Sequence, residues 1–323
     1  MCLLNRFSVS IFFAILLLAG VAAAQNYPAK TVRVVIPWPP GGSNDIVGRV
    51  VFQKVSEQTG QQFVIDNRGG AAGTIGADLV AKSPPDGYTI MVHSATHVAN
   101  SHIYKSLPYD TLKDFIGVTP LATQVGMLAV HPALPAKSVK EFIALAKARP
   151  GEIIYGSSGN GSFVHLAMAL LNSMTDTKMI HVPYKGGGPA SIAIASGETQ
   201  AMIATIGALL PQIQAKQVRP LGVTSAQRVK LFPDVPTLAE AGIPGYEFTA
   251  WIGVFAPAGL PQPIVARLSA EIKTALDNPD VARILSSQTL DPWFMTPAEF
   301  AERLKSDDEK YERLMKLTGA KIG

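Results

Sequence analysis

The chain has 323 residues, of which 47% are apolar and 16% are charged, and its formal net charge is +4 at pH 7. This composition excludes a disordered chain, and the length exceeds the usual size of one hydrophobic core, which predicts two domains. The basic residues form no run and are not interleaved with aromatic residues, so we expect no nucleic-acid partner.

The N-terminal residues predict an export signal. Arg6 precedes an apolar run at 9–18, and the three alanines at 22–24 form a cleavage pattern of the A-x-A type. The run is too short for a typical membrane span, although an uncleaved anchor remains an alternative. Cleavage after Ala24 would leave the mature protein in the periplasm. It would also remove Cys2, the only cysteine, and with it any disulfide or thiolate site.

The segment TVRVVIPWPPGGSNDIVGR at 31–49 is the most informative part of the chain. Its β-branched run at 31–36 predicts a buried strand. Prolines end this strand, glycines let the backbone turn, and Ser43 or Asn44 can cap the helix that follows. The free N–H groups at a helix start, together with the helix dipole, favour a bound anion. The sequence therefore predicts an anion-binding site at this turn.

Strand and helix patterns continue to alternate along the chain, which predicts an α/β architecture with largely parallel sheets. Strands are predicted at 63–66, 88–92, 153–155, 179–184, 200–206, 219–224 and 251–256. The long apolar segment at 115–130 is predicted to cross from the first domain to the second. Helices are predicted up to residue 81, at 138–148 with a capping box of Ser138 and Glu141, at 163–172, from Pro189, at 264–276 and at 297–317.

Small-residue loops follow three of the strands, at 36–44, 155–162 and 184–189. Glycine is common in such turns for geometric reasons alone. Three loops rich in Gly, Ser or Asn nevertheless favour a shared ligand site, because open α/β sheets bind ligands outside the carboxyl ends of their strands. Trp38 can wall such a pocket or simply pack, and Lys185 can meet a ligand carboxylate or stay solvated.

Motifs for other chemistry are missing from the sequence. There is no phosphate loop of the NTPase kind and no Gly-x-Ser-x-Gly nucleophile elbow, and the glycine pattern at 159–164 lacks the third glycine of a dinucleotide fingerprint. His93 and His97 have helical spacing, with His102 nearby, but no carboxylate accompanies them. We therefore expect no metal. His165 is expected on the apolar face of its helix as a partly buried histidine.

Seven motifs, in this order, resemble the Bug family, the TctC-like periplasmic receptors of tripartite tricarboxylate transporters. They are PWPPGGSND (37–45), DNRGGAAG (66–73), PDGYT (85–89), LPYD (107–110), YGS (155–157), HVPYKG (181–186) and PDVPT (233–237). The resemblance covers nearly the whole chain after the export signal. It implies an α/β fold, the two-domain type II periplasmic binding protein or Venus flytrap, with two hinge crossovers. Residues 25–126 plus 251–323 would form domain 1, and residues 127–250 domain 2.

The resemblance also implies which residues bind the ligand. In the family, the loops that correspond to 41–44 and 185–188 hold ligand carboxylates through backbone N–H groups, small hydroxyls and waters. The ligand-binding candidates are therefore Gly42, Ser43, Asn44, Ser94, Ser157, Ser158, Ser162, Gly186 and Gly187.

The function implied by the resemblance is capture of a small organic carboxylate and its delivery to a membrane permease. We expect a monomer without cofactor, metal or enzymatic activity. The alternatives are a carboxylate-sensing receptor for a signalling partner and an exported hydrolase, for which no nucleophile–base motif is present. The strand at 200–206 has Gln200 and Ala204 but no carboxylate that could pair with an ammonium group. We therefore expect an amine-free ligand, such as a dicarboxylate or an aromatic acid, rather than an amino acid.

Overall fold

The computed structural model describes residues 27–319, and the predicted export signal lies outside them. Within that range the strands are β1 (Val32–Ile36), β2 (Phe63–Asn67), β3 (Thr89–Ser94), β4 (Phe115–Val130), β5 (Ile154–Ser157), β6 (Ile180–Pro183), β7 (Ala201–Thr205), β8 (Arg219–Val223) and β9 (Thr249–Pro257). They form one connected sheet in the order β2-β1-β3-β9-β4-β7-β5-β6, and β8 pairs with β4.

The helices cover both faces of this sheet. They are α1 (Ser43–Thr59), α2 (Thr74–Ala81), α3 (Thr96–Ile103), α4 (Val139–Ala148), α5 (Phe163–Thr175), α6 (Gly187–Ser196), α7 (Ile206–Gln214), α8 (Gln262–Leu276), α9 (Pro279–Ser286) and α10 (Pro297–Thr318). None of the helices described between residues 27 and 319 is both long and apolar enough to cross a membrane.

Two long strands connect two lobes. In lobe 1, β1 lies parallel between β2 and β3, and in lobe 2, β5 lies parallel between β6 and β7. β4 pairs with antiparallel β9 from Phe115 to Val125, and from Gly126 to Val130 it pairs with β7. The crossing segment predicted at 115–130 is thus a single strand, and β9 is the second crossover. The domain limits at 126/127 and 250/251 stay a prediction.

The core follows from this layering. Parallel strands that are covered on both faces consist almost entirely of apolar residues. β1 fits this pattern, because four of its five residues are buried. On β9, Trp251 is buried against Phe255 and Phe300. Its Nε1–H donates a hydrogen bond of 2.6 Å to Oδ2 of Asp307 on α10. The C-terminal helix is therefore fixed to one of the two crossovers.

Three details of the predicted helix starts are wrong. Gly42, rather than Ser43 or Asn44, caps α1, and no side chain caps this helix. α6 begins at Gly187, so Pro189 is its third residue and not its first. Proline is tolerated there because the N–H groups of the first helical residues have no partner within the helix, so the N–H that proline lacks is not missed. Ser138 does cap α4, but the Glu141 carboxylate accepts from the N–H of Lys137 instead of that of Ser138, so the capping box is half formed.

Several short elements have no counterpart in the prediction. The structure adds a 3-10 turn (Ala71–Gly73) and the helices α3, α7 and α9, each of nine residues or fewer among those described. The predicted helical spacing of His93 and His97 is also wrong, since His93 lies on β3 and His97 on α3. Helices this short present too few turns for a clear apolar period.

Candidate ligand-binding site

A cavity of about 110 Å³ lies between the two lobes. Lobe 1 and the crossover β4 line it with Trp38, Pro39, Pro40, Gly42, Ser43, Asn44, Ser94, Thr96 and Gln124, and lobe 2 with Ser158, Ser162, Phe163, Val164, Gly187, Gly188, Pro189, Met202, Ala204, Thr205 and Ala208. Among these residues, all of them within the described range, none has an ionisable side chain. A charged ligand would therefore depend on the backbone and on neutral polar groups.

Five helices of the described chain begin at this cavity. α1, α3, α5, α6 and α7 each contribute at least one lining residue from the cap or the first turn. The first N–H groups of a helix have no intrahelical partner, and the helix dipole places partial positive charge there. These helix starts therefore direct partial positive charge towards the cavity although none of its described lining residues is basic, and this arrangement suits an anion.

The start of α1 forms the lobe 1 wall. Because Gly42 caps the helix without a side chain, the side chains of Ser43 and Asn44 remain free to face the cavity. Ser43 Oγ lies 3.0 Å from Oγ1 of Thr205 in lobe 2, so this hydroxyl pair connects the lobes directly. Asn44 is buried, and its Oδ1 finds no hydrogen-bond partner among the described residues.

A buried carboxylate holds the turn before α1 in place. Asp45 accepts hydrogen bonds from the N–H of Gly41 at 2.9 Å, from Asn67 Nδ2 at 3.0 Å and from Arg49 Nε at 2.9 Å. Burial on its own raises the pKa of Asp45, but the hydrogen bonds from Arg49, Gly41 and Asn67 outweigh it and keep the pKa below its usual value. Asp45 therefore stays ionised and fixes the turn without lining the cavity.

Ser157 does not line the cavity, unlike seven of the nine candidates. Its side chain is fully buried, and its Oγ lies 2.6 Å from Nε2 of His181 while also bonding to both backbone groups of Gly159 at 3.1 Å. The hydroxyl thus shapes the loop that leads to Ser162. We no longer expect Ser157 to contact a ligand.

Two stacked histidines support the same loop. The rings of His165 and His181 lie 4.1 Å apart, and Nδ1 of His165 accepts the N–H of Gly161 at 3.0 Å. Burial lowers the pKa of His165 to about 4, and burial together with His165 lowers that of His181 to about 3. Both are therefore neutral near pH 7. His165 is partly buried, as expected, and its role is to hold the loop.

Gly186 lines a second cavity of about 600 Å³ in the same cleft. The two cavities share Trp38, Pro39, Pro40 and Ser158, so they adjoin each other. A Cβ on Gly186 would lie 3.0 Å from Cγ of Pro39, which shows how closely the lobes approach here. Lys185 lines this second cavity but not the first one.

Several residues that line the cavity were not predicted from the sequence. Thr205 ends β7, in agreement with the predicted strand, and it also occupies the cap position of α7, a short helix that was not predicted. Thr96 belongs to α3, another short helix that was not predicted. Gln124 lies on the crossover β4, where the sequence offers only an apolar run interrupted by one amide. Trp38, which could have lined a pocket or only packed against its neighbours, lines both cavities.

The buried histidines of lobe 1 form no metal site. The rings of His93 and His97 have their centres 5.3 Å apart, and burial lowers the pKa of both. Across residues 27–319, no group of three or more His, Cys, Asp or Glu side chains is placed to hold a metal ion.

Comparison with known proteins identifies the family. The family model described as "Tripartite tricarboxylate transporter family receptor" matches residues 47–319. The chain belongs to this receptor family. A protein encoded in the tcbD–tcbE intergenic region of Pseudomonas sp. (strain P51) is 38% identical over 310 residues, 92% of each chain. Protein BugT of Bordetella pertussis is 33% identical over 316 residues, 97% of each chain. The predicted Bug-family resemblance is confirmed, and receptors of this family are periplasmic.

Solved structures of similar periplasmic binding proteins confirm the predicted two-domain α/β fold. Rpa4515 of R. palustris, solved with adipate, superposes with a TM-score of 0.88 at 36% identity, over 92% of this chain and all of that one. MatC of Rhodopseudomonas palustris, solved with bound malate, gives a TM-score of 0.84 at 32% identity over 89% of this chain and 99% of that one.

Proposed function

We propose that this receptor captures a small organic carboxylate in the periplasm, after cleavage of its export signal behind Ala24, and delivers it to a membrane permease. The observation that carries the proposal is the convergence of helix N-termini on a cavity whose described walls have no ionisable side chain. An anion in such a cavity is stabilised by backbone N–H groups and helix dipoles, with no need for a metal or a basic side chain.

The walls also favour a ligand with an apolar middle. Phe163, Val164, Met202, Ala204 and Ala208 give lobe 2 an apolar surface beside its helix starts. A site of this kind matches a carbon skeleton that carries carboxylates. The adipate of Rpa4515 and the malate of MatC support the same ligand class for this chain.

We propose binding without catalysis. Among residues 27–319, the shortest contact between a serine hydroxyl and a histidine is that of Ser157 with His181, and the Ser157 hydroxyl is buried outside the cavity. A ligand in the cavity would not reach this hydroxyl. We also propose that the protein acts as a monomer and that its two lobes close on the ligand. The contact between Ser43 and Thr205, which joins the lobes across the cavity, supports the closure.

An amine-free ligand is expected. The strand that faces the cavity, β7, presents Met202, Ala204 and Thr205 but no carboxylate. An ammonium group would enter this cavity without an anionic partner, and a buried unpaired charge is costly. We expect succinate to raise the melting temperature more than aspartate, and glutarate more than glutamate, in a thermal-shift assay with a chelator present.

The matched pairs differ only in the ammonium group, so they isolate its effect. Stabilisation by aspartate and glutamate alone would contradict the amine-free assignment while leaving carboxylate capture intact. Stabilisation that disappears with the chelator would contradict metal-free binding.

A further inference from the structure

The loop at 158–162, between β5 and α5, belongs both to the ligand site and to the contact between the lobes. Ser158 and Ser162 line the first cavity. Gly161 has a φ of +77°, which favours glycine, and a Cβ added there would lie only 2.9 Å from Cδ1 of Ile103 on α3 of lobe 1. A shift of this loop would therefore change the cavity wall and the approach of the two lobes together.

One ring nitrogen of His165 fixes the loop. Gly161 is buried, and its N–H donates a hydrogen bond of 3.0 Å to Nδ1 of His165. An imidazole nitrogen accepts a hydrogen bond only when it carries no proton, so this contact requires a neutral ring with its proton on Nε2. A protonated ring would direct a second N–H at that of Gly161 and leave a buried donor unpaired, which is costly. The position of the loop thus depends on the charge of His165.

Within the described part of the chain, no charged partner stabilises a protonated His165. His181 stacks on it with ring centres 4.1 Å apart, so a charge on one histidine disfavours a charge on the other. Tyr155 stacks on His181 in turn, and burial raises the pKa of this phenol, which stays neutral. Asp176 and Lys178 line the same surface groove as His165, but neither is hydrogen-bonded or ion-paired to its ring.

Acid can act on His165 without entering the ligand site. The groove that His165 lines, of about 420 Å³, shares no lining residue with either cavity of the cleft. Burial lowers the pKa of His165 to about 4 while the loop is held, whereas a solvated histidine has a pKa of 6.5. The released ring therefore binds a proton more readily than the held ring. The held loop is favoured above pH 6.5 and loses this advantage as the pH falls towards 4.

We propose that His165 is a positioning residue for ligand binding, which holds the loop at 158–162 in place only while its ring is neutral, so that acid weakens carboxylate capture. This proposal rests on the proposed function, because the loop affects affinity only if the cavity holds the ligand. The lining of the first cavity contains no ionisable side chain among the described residues. Protonation of a residue behind that lining is therefore the route by which pH acts on the cavity wall.

Calorimetry on the full chain at pH 7.5 and pH 5.0 tests the proposal, with whichever of succinate, malate and adipate binds most tightly at pH 7.5. His165→Asn keeps an acceptor oxygen near the position of Nδ1 but does not titrate in this range. The unaltered protein should lose at least about fivefold more affinity between the two pH values than His165→Asn. The titration of the acid itself is the same for both proteins and cancels in the comparison.

A second variant removes the acceptor altogether. His165→Leu leaves the N–H of Gly161 without a partner at every pH, so it should bind the same acid at least about fivefold more weakly than the unaltered protein at pH 7.5. Restored affinity in His165→Asn would assign the effect to the acceptor atom rather than to the bulk of the ring.

His131→Asn is the matched control. Nδ1 of His131 accepts the N–H of Ala133 at 3.3 Å in a turn of lobe 2, and His131 lines neither cavity. This variant should keep the affinity and the pH dependence of the unaltered protein. Melting curves at both pH values establish that each protein is folded.

Two results would overturn the proposal and leave carboxylate capture standing. One is an equal loss of affinity at pH 5.0 in the unaltered protein and in His165→Asn. The other is a folded His165→Leu that binds as tightly as the unaltered protein at pH 7.5. Failure of all three acids to bind the unaltered protein at pH 7.5 would overturn the proposed function and this proposal with it.

Discussion

A Gly187→Phe variant is expected to lose carboxylate binding by about 100-fold or more, a loss of about 2.8 kcal/mol in binding free energy. Gly187 is the first residue of α6 and lines the cavity, and a Cβ added there would meet no heavy atom within 4 Å. The Cβ of the new side chain therefore finds free space at this position. Its ring would occupy the space in which a carboxylate approaches the first N–H groups of the helix.

Ile192→Phe provides the matched control for Gly187→Phe. Ile192 lies on the same helix, is 65% exposed, and does not line the cavity. Adding an aromatic ring there should leave carboxylate affinity unchanged. Calorimetry on both variants, together with melting curves to confirm that they fold, makes the comparison. Unchanged affinity in Gly187→Phe would show that α6 does not bind the ligand.

Replacing Trp251 by alanine is expected to lower the free energy of unfolding by about 3–5 kcal/mol, the usual cost of deleting a large buried aromatic side chain. Trp251 is 1% exposed and packs on Phe300 with ring centres 5.0 Å apart. The substitution also removes the Nε1–H donor from Asp307, which is itself buried and would keep only the hydrogen bond from Arg303. An under-satisfied buried carboxylate adds to the cost.

Two further variants separate packing from hydrogen bonding at Trp251. Trp251→Phe keeps an aromatic ring but loses the donor, so its cost should fall between zero and that of the alanine variant. Leu317→Ala removes a side chain of similar apolar character that is 60% exposed, and it should cost less than about 0.5 kcal/mol. Denaturant unfolding measures all three. A loss below about 1 kcal/mol in Trp251→Ala would contradict the role of this residue in fixing α10 to β9.

Much of the fold was predictable because its signals are local. The β-branched run of β1, the long apolar run of β4 and the proline at the start of α10 each determine an element from neighbouring residues. The short helices α3 and α7 were not predictable, since eight or nine residues give too little apolar period to outweigh other conformations.

The candidate site was predictable only in its loops. Glycine and serine at a strand–helix turn mark backbone that can approach a ligand, and this signal placed Ser43, Ser162 and Gly187 beside the cavity. Gln124 and Thr205 reach the cavity only because β4 and β7 pair across the sheet. Such long-range pairing leaves no trace in the residues around either position. Ser157 is the opposite case. It also lies in a turn of small residues, but its hydroxyl donates to the backbone carbonyl of Gly159 in the loop and does not line the cavity.

Calorimetry of free acids against their methyl esters tests the central claim most directly. Esterifying every carboxylate keeps the carbon skeleton of the acid and adds one methyl group per carboxylate, but it removes the negative charge, and charge is what the helix starts around the cavity would recognise. We predict that at least one acid among succinate, malate and adipate binds in the presence of a chelator and that its methyl ester binds at least about tenfold more weakly. An ester that binds as tightly as its acid would contradict recognition of the carboxylate by the helix N-termini.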